Sequence, residues 1–322
     1  MAETITARID AITGIPAERL LAAPPAPKSV KVELTGRCNY RCGFCALRTR
    51  ESQPKHDMDL GLFQRLAREM RAAGVEELGM FFLGESFMAP ELLVDAIRYA
   101  KREVGFPYLF LTTNGSLATP ANVQACMEAG LDSLKWSLNY ADATQFEEIA
   151  GVRQESWKRS LEHLKAARRV RDEVQARTGH RCGLYATSIA YDGEQQVRME
   201  ALVAEFAPHV DQHYWLPLYS MGSLASKREA ELGYRPIAGN QGRLGNLREP
   251  LPCWSAFTEG HITAAGKLSA CCFDADQRWV MADLTQVSFQ EGWNSLPFQE
   301  LRAAHLRKDV TGTPCQDCVA YR

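Results

Sequence analysis

Three cysteines, Cys38, Cys42 and Cys45, fall within the stretch TGRCNYRCGFC, residues 35–45, directly after a short apolar run. Three soft thiolates at C-x3-C-x2-C spacing can converge on a single metal centre while leaving a fourth position unfilled. A structural zinc site closes its coordination with a fourth protein ligand, whereas a reactive centre keeps one place open for water, substrate or cofactor. His56 is one residue able to complete a zinc site, but a charged, polar stretch separates it from Cys45. A second set gathers near the end of the chain. Cys253 and Cys271 bracket Gly266 as C-x12-G-x4-C, and Cys315 and Cys318 form C-x2-C. Taken alone, these four suit a tetrahedral zinc ribbon as well as an iron–sulfur cluster. Cys272 follows Cys271 directly, and adjacent strand residues point to opposite faces, so only one of the two is expected to serve as a ligand. Cys126, in a helical stretch, and Cys182, near a strand start, read as small buried hydrophobes.

The rest of the composition narrows what such centres are for. The 322 residues are 46% hydrophobic and 24% charged, an ordinary globular profile. Lys plus Arg number 37 against 39 Asp plus Glu, which leaves no electrostatic footprint for nucleic acid or an anionic membrane. The cationic run WKRSLEHLKAARRVRDEVQAR reads as the solvated face of a helix. There is no signal-peptide core and no run of about 18 apolar residues, so a cytoplasmic protein is expected. In a reducing compartment ten cysteines are better explained by metal binding or catalysis than by disulfides.

Elements that could position the thiols follow from the hydrophobic pattern. Candidate strands are VKVELTG (30–36), ELGMFFL (77–83), YLFLTTN (108–114), SLKWSLN (133–139), GLYATSIAY (183–191) and DQHYWLPL (211–218). Amphipathic stretches separate them, such as DLGLFQRLAREMRAAG, where Leu62, Phe63, Leu66 and Met70 share a face and Asp59 is the N-cap. Alternating strands and helices imply an α/β fold with parallel strands and right-handed crossovers, a partial (β/α)6 TIM-type barrel. Its chemistry should collect at the carboxyl ends of the strands, where the first cysteine loop begins. Residues 1–29 read as an N-terminal extension, 30–218 as the barrel and 219–322 as a small cysteine-rich C-terminal domain entered through a long Gly- and Pro-rich loop.

With Phe44 before its last cysteine, the loop resembles that of the radical S-adenosylmethionine (SAM) superfamily. The resemblance implies a [4Fe-4S] cluster on Cys38, Cys42 and Cys45, with SAM chelated at the unique iron and cleaved to a 5′-deoxyadenosyl radical that abstracts hydrogen from substrate. It also implies cofactor contacts at successive strand ends: Gly84 and Glu85 of FLGES, where Ser86 replaces the family's proline, Asn114 of TTNG and Ser137 of WSLN. SIAYDGEQ (188–195) is a weak echo of the adenine-side strand. The later cysteines resemble the SPASM or shortened Twitch domains of radical enzymes, which implies an auxiliary [4Fe-4S] cluster on Cys253, Cys271, Cys315 and Cys318.

Two clusters and SAM together imply an oxidoreductase. The reading taken from this resemblance is hydrogen abstraction from a small polar substrate, a sugar, cyclitol or natural-product intermediate, with two-electron dehydrogenation and the auxiliary cluster as electron acceptor. A related dehydrogenase of aminocyclitol pathways works this way. The small-molecule substrate is favoured because 29 residues before the barrel are too few for a leader-binding domain. A peptide- or protein-modifying enzyme or an epimerase is the alternative, and a non-catalytic zinc scaffold is the alternative of another class. An external one-electron reductant of flavodoxin or ferredoxin type is expected as a partner. Asp274 in CCFDAD is the first candidate base, ahead of Asp276 and His261. Tyr214, Trp215, Arg235 and Arg243 are candidates to line the substrate pocket.

Overall fold

The computed structural model describes residues 4–45, 56–219, 237–274 and 279–318. All six expected strands form, as β1 (Ser29–Val32), β2 (Glu77–Gly79), β3 (Tyr108–Thr113), β4 (Ser133–Ser137), β5 (Gly183–Ile189) and β6 (Gln212–Leu216), each parallel to the next. Helices α2 (Leu60–Ala72), α3 (Pro90–Arg98), α4 (Pro120–Ala129), α5 (Ala143–Ala150), α6 (Glu155–Thr178) and α7 (Gly193–Phe206) make the crossovers.

Local chemistry sets these elements. The Asp59 carboxylate accepts the Leu62 N–H at 2.8 Å and caps α2, whose Phe63, Leu66 and Met70 are fully buried against the sheet. In α6 the cationic face is exposed, while Trp157, Ser160, Leu164, Ala167, Val170 and Val174 form the buried stripe. Arg171 is buried within that stripe and pairs with Asp211, which also accepts the Leu184 N–H, so one carboxylate fixes α6 against β5 and β6. Cys126 and Cys182 are both buried.

The C-terminal segment does not stand apart from the barrel. Strand β7 (Glu259–Ile262) pairs in parallel with the free edge of β1, and the antiparallel strands β8 (Lys267–Ser269) and β9 (Val280–Asp283) extend the sheet to the order β6-β5-β4-β3-β2-β1-β7-β8-β9. The outer strands β6 and β9 do not pair, so the barrel is open. Gly266 turns the chain from β7 into β8 at φ 73°, which accounts for the glycine between Cys253 and Cys271. Short helices α8 (Ser255–Thr258) and α9 (Phe289–Trp293) and the longer α10 (Leu296–Leu306) complete this end.

The N-terminal extension is also part of the barrel. Helix α1 (Ile5–Thr13), capped by Thr4, lies across the amino ends of the strands. Arg8 donates to Glu77 at 3.1 Å, the Gln212 amide donates to Thr6 at 2.8 Å, Thr258 donates to the Ile12 carbonyl at 2.7 Å, and Arg243 reaches both oxygens of Asp10. No described helix is long and apolar enough to cross a membrane.

Candidate functional site

Past β1, the loop carrying Cys38, Cys42 and Cys45 is fastened from three sides. The buried Glu33 carboxylate accepts the Gly84 N–H at 3.2 Å and the Ala264 N–H at 3.1 Å, tying the end of β1 to the segments after β2 and β7. The Glu85 N–H donates to the Arg37 carbonyl, and the Arg37 guanidinium forks onto Asp57. The last carbonyls of α5, on Ile149 and Ala150, accept the N–H groups of Gly43 and Arg41 at 2.8 Å. Phe44 stacks on Tyr140 with ring centroids 6.0 Å apart, and the Tyr140 hydroxyl lies 2.7 Å from Cys42 Sγ. Burial and the neighbouring Cys42 hold the Tyr140 phenol well above its usual pKa, so it keeps a proton to donate to a thiolate.

The strand-end residues meet this loop. A Cβ on Gly84 would stand 2.0 Å from the Thr35 carbonyl oxygen, so the glycine lets the segment after β2 close onto the cysteine loop. Glu85 is buried, and its carboxylate accepts from the Thr113 hydroxyl at 2.9 Å and from the N–H groups of Asn114 and Phe87 at 2.7 and 3.2 Å. Burial raises its pKa against these hydrogen bonds. About one of a carboxylate's four acceptor positions then remains for a cofactor ammonium. Asn114 donates to Asn39 inside the cysteine loop at 2.8 Å and accepts from Ser116. Ser137 shares the inward face of β4 with Ser133 and Lys135, which line the barrel cavity, so it points inward at the carboxyl end. The backbone tight enough to need Gly84 and the donor set of three thiols fit a cluster and a bound SAM.

Below these residues the barrel holds a half-open cavity of about 220 Å³ floored by α1. Alternation of the strand side chains puts Lys31, Phe110, Thr112, Lys135 and Tyr214 on its wall. Lys31 donates to Glu259 at 2.8 Å, and the same oxygen accepts His261 Nε2 at 2.9 Å. Burial opposes the Glu259 charge, but Lys31 and His261 overcome it and hold the carboxyl at about 2; burial keeps His261 below its usual value and neutral. Of the residues expected to line a pocket, Tyr214 and Arg243 do so. Arg243 is engaged by Asp10, Trp215 points to the opposite face of β6, and Arg235 lies outside the described residues.

A second cavity lies beside the first. Cys253, Cys271, Cys315 and Cys318 line it together with His305, and Cys272 lines the barrel cavity instead. The two adjacent residues face opposite chambers, although they lie in the turn that follows β8 and not within the strand. Asn240 and Phe273 line both cavities, so the partition is a single layer of residues. The Cys253 N–H donates to His305 Nδ1 at 3.1 Å, which places the single proton of the neutral ring on Nε2, 3.3 Å from Cys315 Sγ. Burial lowers the His305 pKa to about 4, so the ring is a neutral donor towards that sulfur. Four thiolates on one zinc ion stand about 3.8 Å apart. Among the described residues no three His, Cys, Asp or Glu side chains are gathered to hold a single ion.

Asp274 is fully buried and accepts the Trp279 N–H; it lines neither cavity. Asp276 lies outside the described residues, and His261 sits behind Glu259. Sequence reasoning passed over Lys31, Lys135 and Glu259. The signal for Lys135 was present: if Ser137 faces the site, the residue two positions earlier on the same strand must as well.

Residues 32–179 match the Radical SAM superfamily, and residues 253–319 match SPASM, an iron-sulfur cluster-binding domain. Over 129 residues the chain is 33% identical to the PqqA peptide cyclase of Methylobacterium sp. (strain 4-46), a match covering 40% of this chain and about a third of that relative. Among solved structures, Streptococcus suis SuiB bound to precursor peptide SuiA aligns with TM-score 0.63 at 15% identity, over 93% of this chain and 71% of that one. BtrN in complex with AdoMet and 2-DOIA aligns with TM-score 0.53 at 15% identity, over 86% of each chain. At such identities the structures establish the open barrel with its C-terminal extension, and the two sequence matches fall on the two cysteine sets. The chain is a member of the radical SAM superfamily with a C-terminal SPASM domain, and the two domains imply SAM and both a SAM-binding and an auxiliary [4Fe-4S] cluster.

Proposed function

We propose that this radical SAM enzyme oxidises a side chain of a peptide or protein substrate inserted into the barrel cavity. When bound, the first cluster and SAM supply a carbon-centred radical that takes a hydrogen atom from substrate, and a fully thiolate-ligated auxiliary cluster supplies a one-electron acceptor. The supporting observation is the one-residue partition: Cys272 faces the barrel cavity, Cys271 faces the second, and Asn240 and Phe273 touch both. A substrate radical held in the barrel is therefore next to the auxiliary site.

In this reading Cys38, Cys42 and Cys45 hold the first cluster, while Phe44, Gly84, Glu85, Asn114 and Ser137 border SAM. Cys253, Cys271, Cys315 and Cys318 hold the second. The boundaries at residues 30 and 219 are kept as functional divisions, although β7 lies in the barrel sheet. An external reductant and a cytoplasmic setting belong to the same proposal.

Peptide is favoured over the free sugar or cyclitol first expected. A cavity of about 220 Å³ is below the roughly 300–1,000 Å³ of pockets that hold a whole ligand. It suits one or two side chains of a longer molecule. A relative matching the barrel segment is named a peptide cyclase, and a structural neighbour holds a precursor peptide.

Anaerobic reconstitution tests the reading. The wild type should bind about eight irons per chain, release 5′-deoxyadenosine under a strong reductant, and remove two hydrogens from its peptide by mass spectrometry. Cys42→Ala should lose 5′-deoxyadenosine formation. Normal turnover by that variant would refute the assignment, as would stoichiometric zinc with little iron.

A further inference from the structure

Four cationic side chains line the barrel cavity, and three are matched by carboxylates. Arg8 is paired with Glu77, Lys31 with Glu259 at 2.8 Å, and Arg243 with Asp10 at 2.6 Å. Lys135, midway along β4, has no carboxylate within ion-pair distance among the described residues. Its Nζ donates to the Tyr214 hydroxyl at 3.0 Å, which leaves the phenol proton free to point into the cavity. An unmatched, partly buried cation in a mainly apolar chamber is costly unless an anion joins it. Burial and the nearby Lys31 charge accordingly draw the Lys135 pKa down to about 7. Burial holds the Tyr214 phenol above its usual value, so it remains a donor.

We infer that Lys135 and Tyr214 form a subsite for a carboxylate of the substrate, placed between the SAM end of the barrel and the α1 floor. The inference rests on the proposed function only in taking this cavity as the substrate chamber. An ammonium from β4 and a phenol O–H from β6, meeting across the inward face of β5, supply two donors to one carboxylate group, one of them charged.

The test compares two probes of equal shape, butyrate and butyramide, by isothermal titration of the reconstituted enzyme with SAM. The wild type should bind butyrate about 10- to 100-fold more tightly, the range for a hydrogen bond to a charged group. Lys135→Met should abolish that preference, and Tyr214→Phe should reduce it by less. Replacing a partly buried, unmatched charge with a side chain of similar volume does not threaten folding. Equal or undetectable binding of butyrate by the wild type, or a preference that survives Lys135→Met, would overturn the subsite. Absence of 5′-deoxyadenosine from the wild type would instead refute the radical chemistry and leave the binding comparison standing.

Discussion

Replacing Glu259 with Gln isolates the electrostatics of the barrel wall. One Glu259 oxygen accepts from both Lys31 and His261, so the amide oxygen of Gln can keep both hydrogen bonds and only the charge is lost. Lys31, whose side chain is 18% exposed, is then a largely buried cation without a counter-charge, a situation that costs up to about 3–5 kcal/mol. Two further estimates bracket the same figure. The carboxyl's displacement from 4.5 to about 2 corresponds to roughly 3 kcal/mol. Deprotonating Lys31 from its ordinary 10.5 limits the loss at pH 7 to about 5 kcal/mol. These describe one interaction seen from two sides and are not added. Because the folded-state pKa is depressed, the contribution is complete above about pH 4.5 and is lost as pH falls through about 2, so a measurement at pH 7 reads it in full. Anaerobic thermal unfolding of the reconstituted protein should show a midpoint lowered by about 5–10 °C. The double variant Lys31→Met/Glu259→Gln should recover most of the loss, since no buried charge is left unmatched. A single variant within about 1 kcal/mol of wild type, or a double variant no better than the single, would refute the reasoning.

Cys271→Ser should lower bound iron from about eight to about four per chain, whereas Cys272→Ser should leave it unchanged, since the two face different cavities; the reverse result would reassign the ligand. Gly84→Ala forces a Cβ to within 2.0 Å of the Thr35 carbonyl and should cost about 1–3 kcal/mol while impairing reconstitution of the first cluster, read as iron and thermal stability together. His305→Leu removes the donor 3.3 Å from Cys315 Sγ, and a lost bond worth about 1 kcal/mol more to the reduced state lowers the auxiliary potential by about 40 mV. Spectroscopic redox titration with no change in the auxiliary signal would show that His305 only fills space.

The sequence by itself determined the barrel strands and both cysteine sets. Strands such as YLFLTT carry an alternation long enough to read, and the spacing of Cys38, Cys42 and Cys45 and the glycine before Cys271 constrain a short segment of chain. Only the tertiary structure decided which residues share a chamber. The strands β7, β8 and β9 are three or four residues long and show no period, so the joining of β7 to β1 could not be seen, nor the pairing of Glu259 with Lys31 from a strand 228 residues away. Residues 1–29 read only as an N-terminal extension because the amphipathic pattern of α1 is indifferent to what it covers; the helix became the cavity floor through contacts to residues far along the chain. Asp274 adjoins the cluster cysteines in sequence, and only the fold reveals that it is fully buried with its carboxylate accepting the Trp279 N–H. Local periodicity records which way a side chain points on its own element, while the identity of what it meets depends on packing between distant segments.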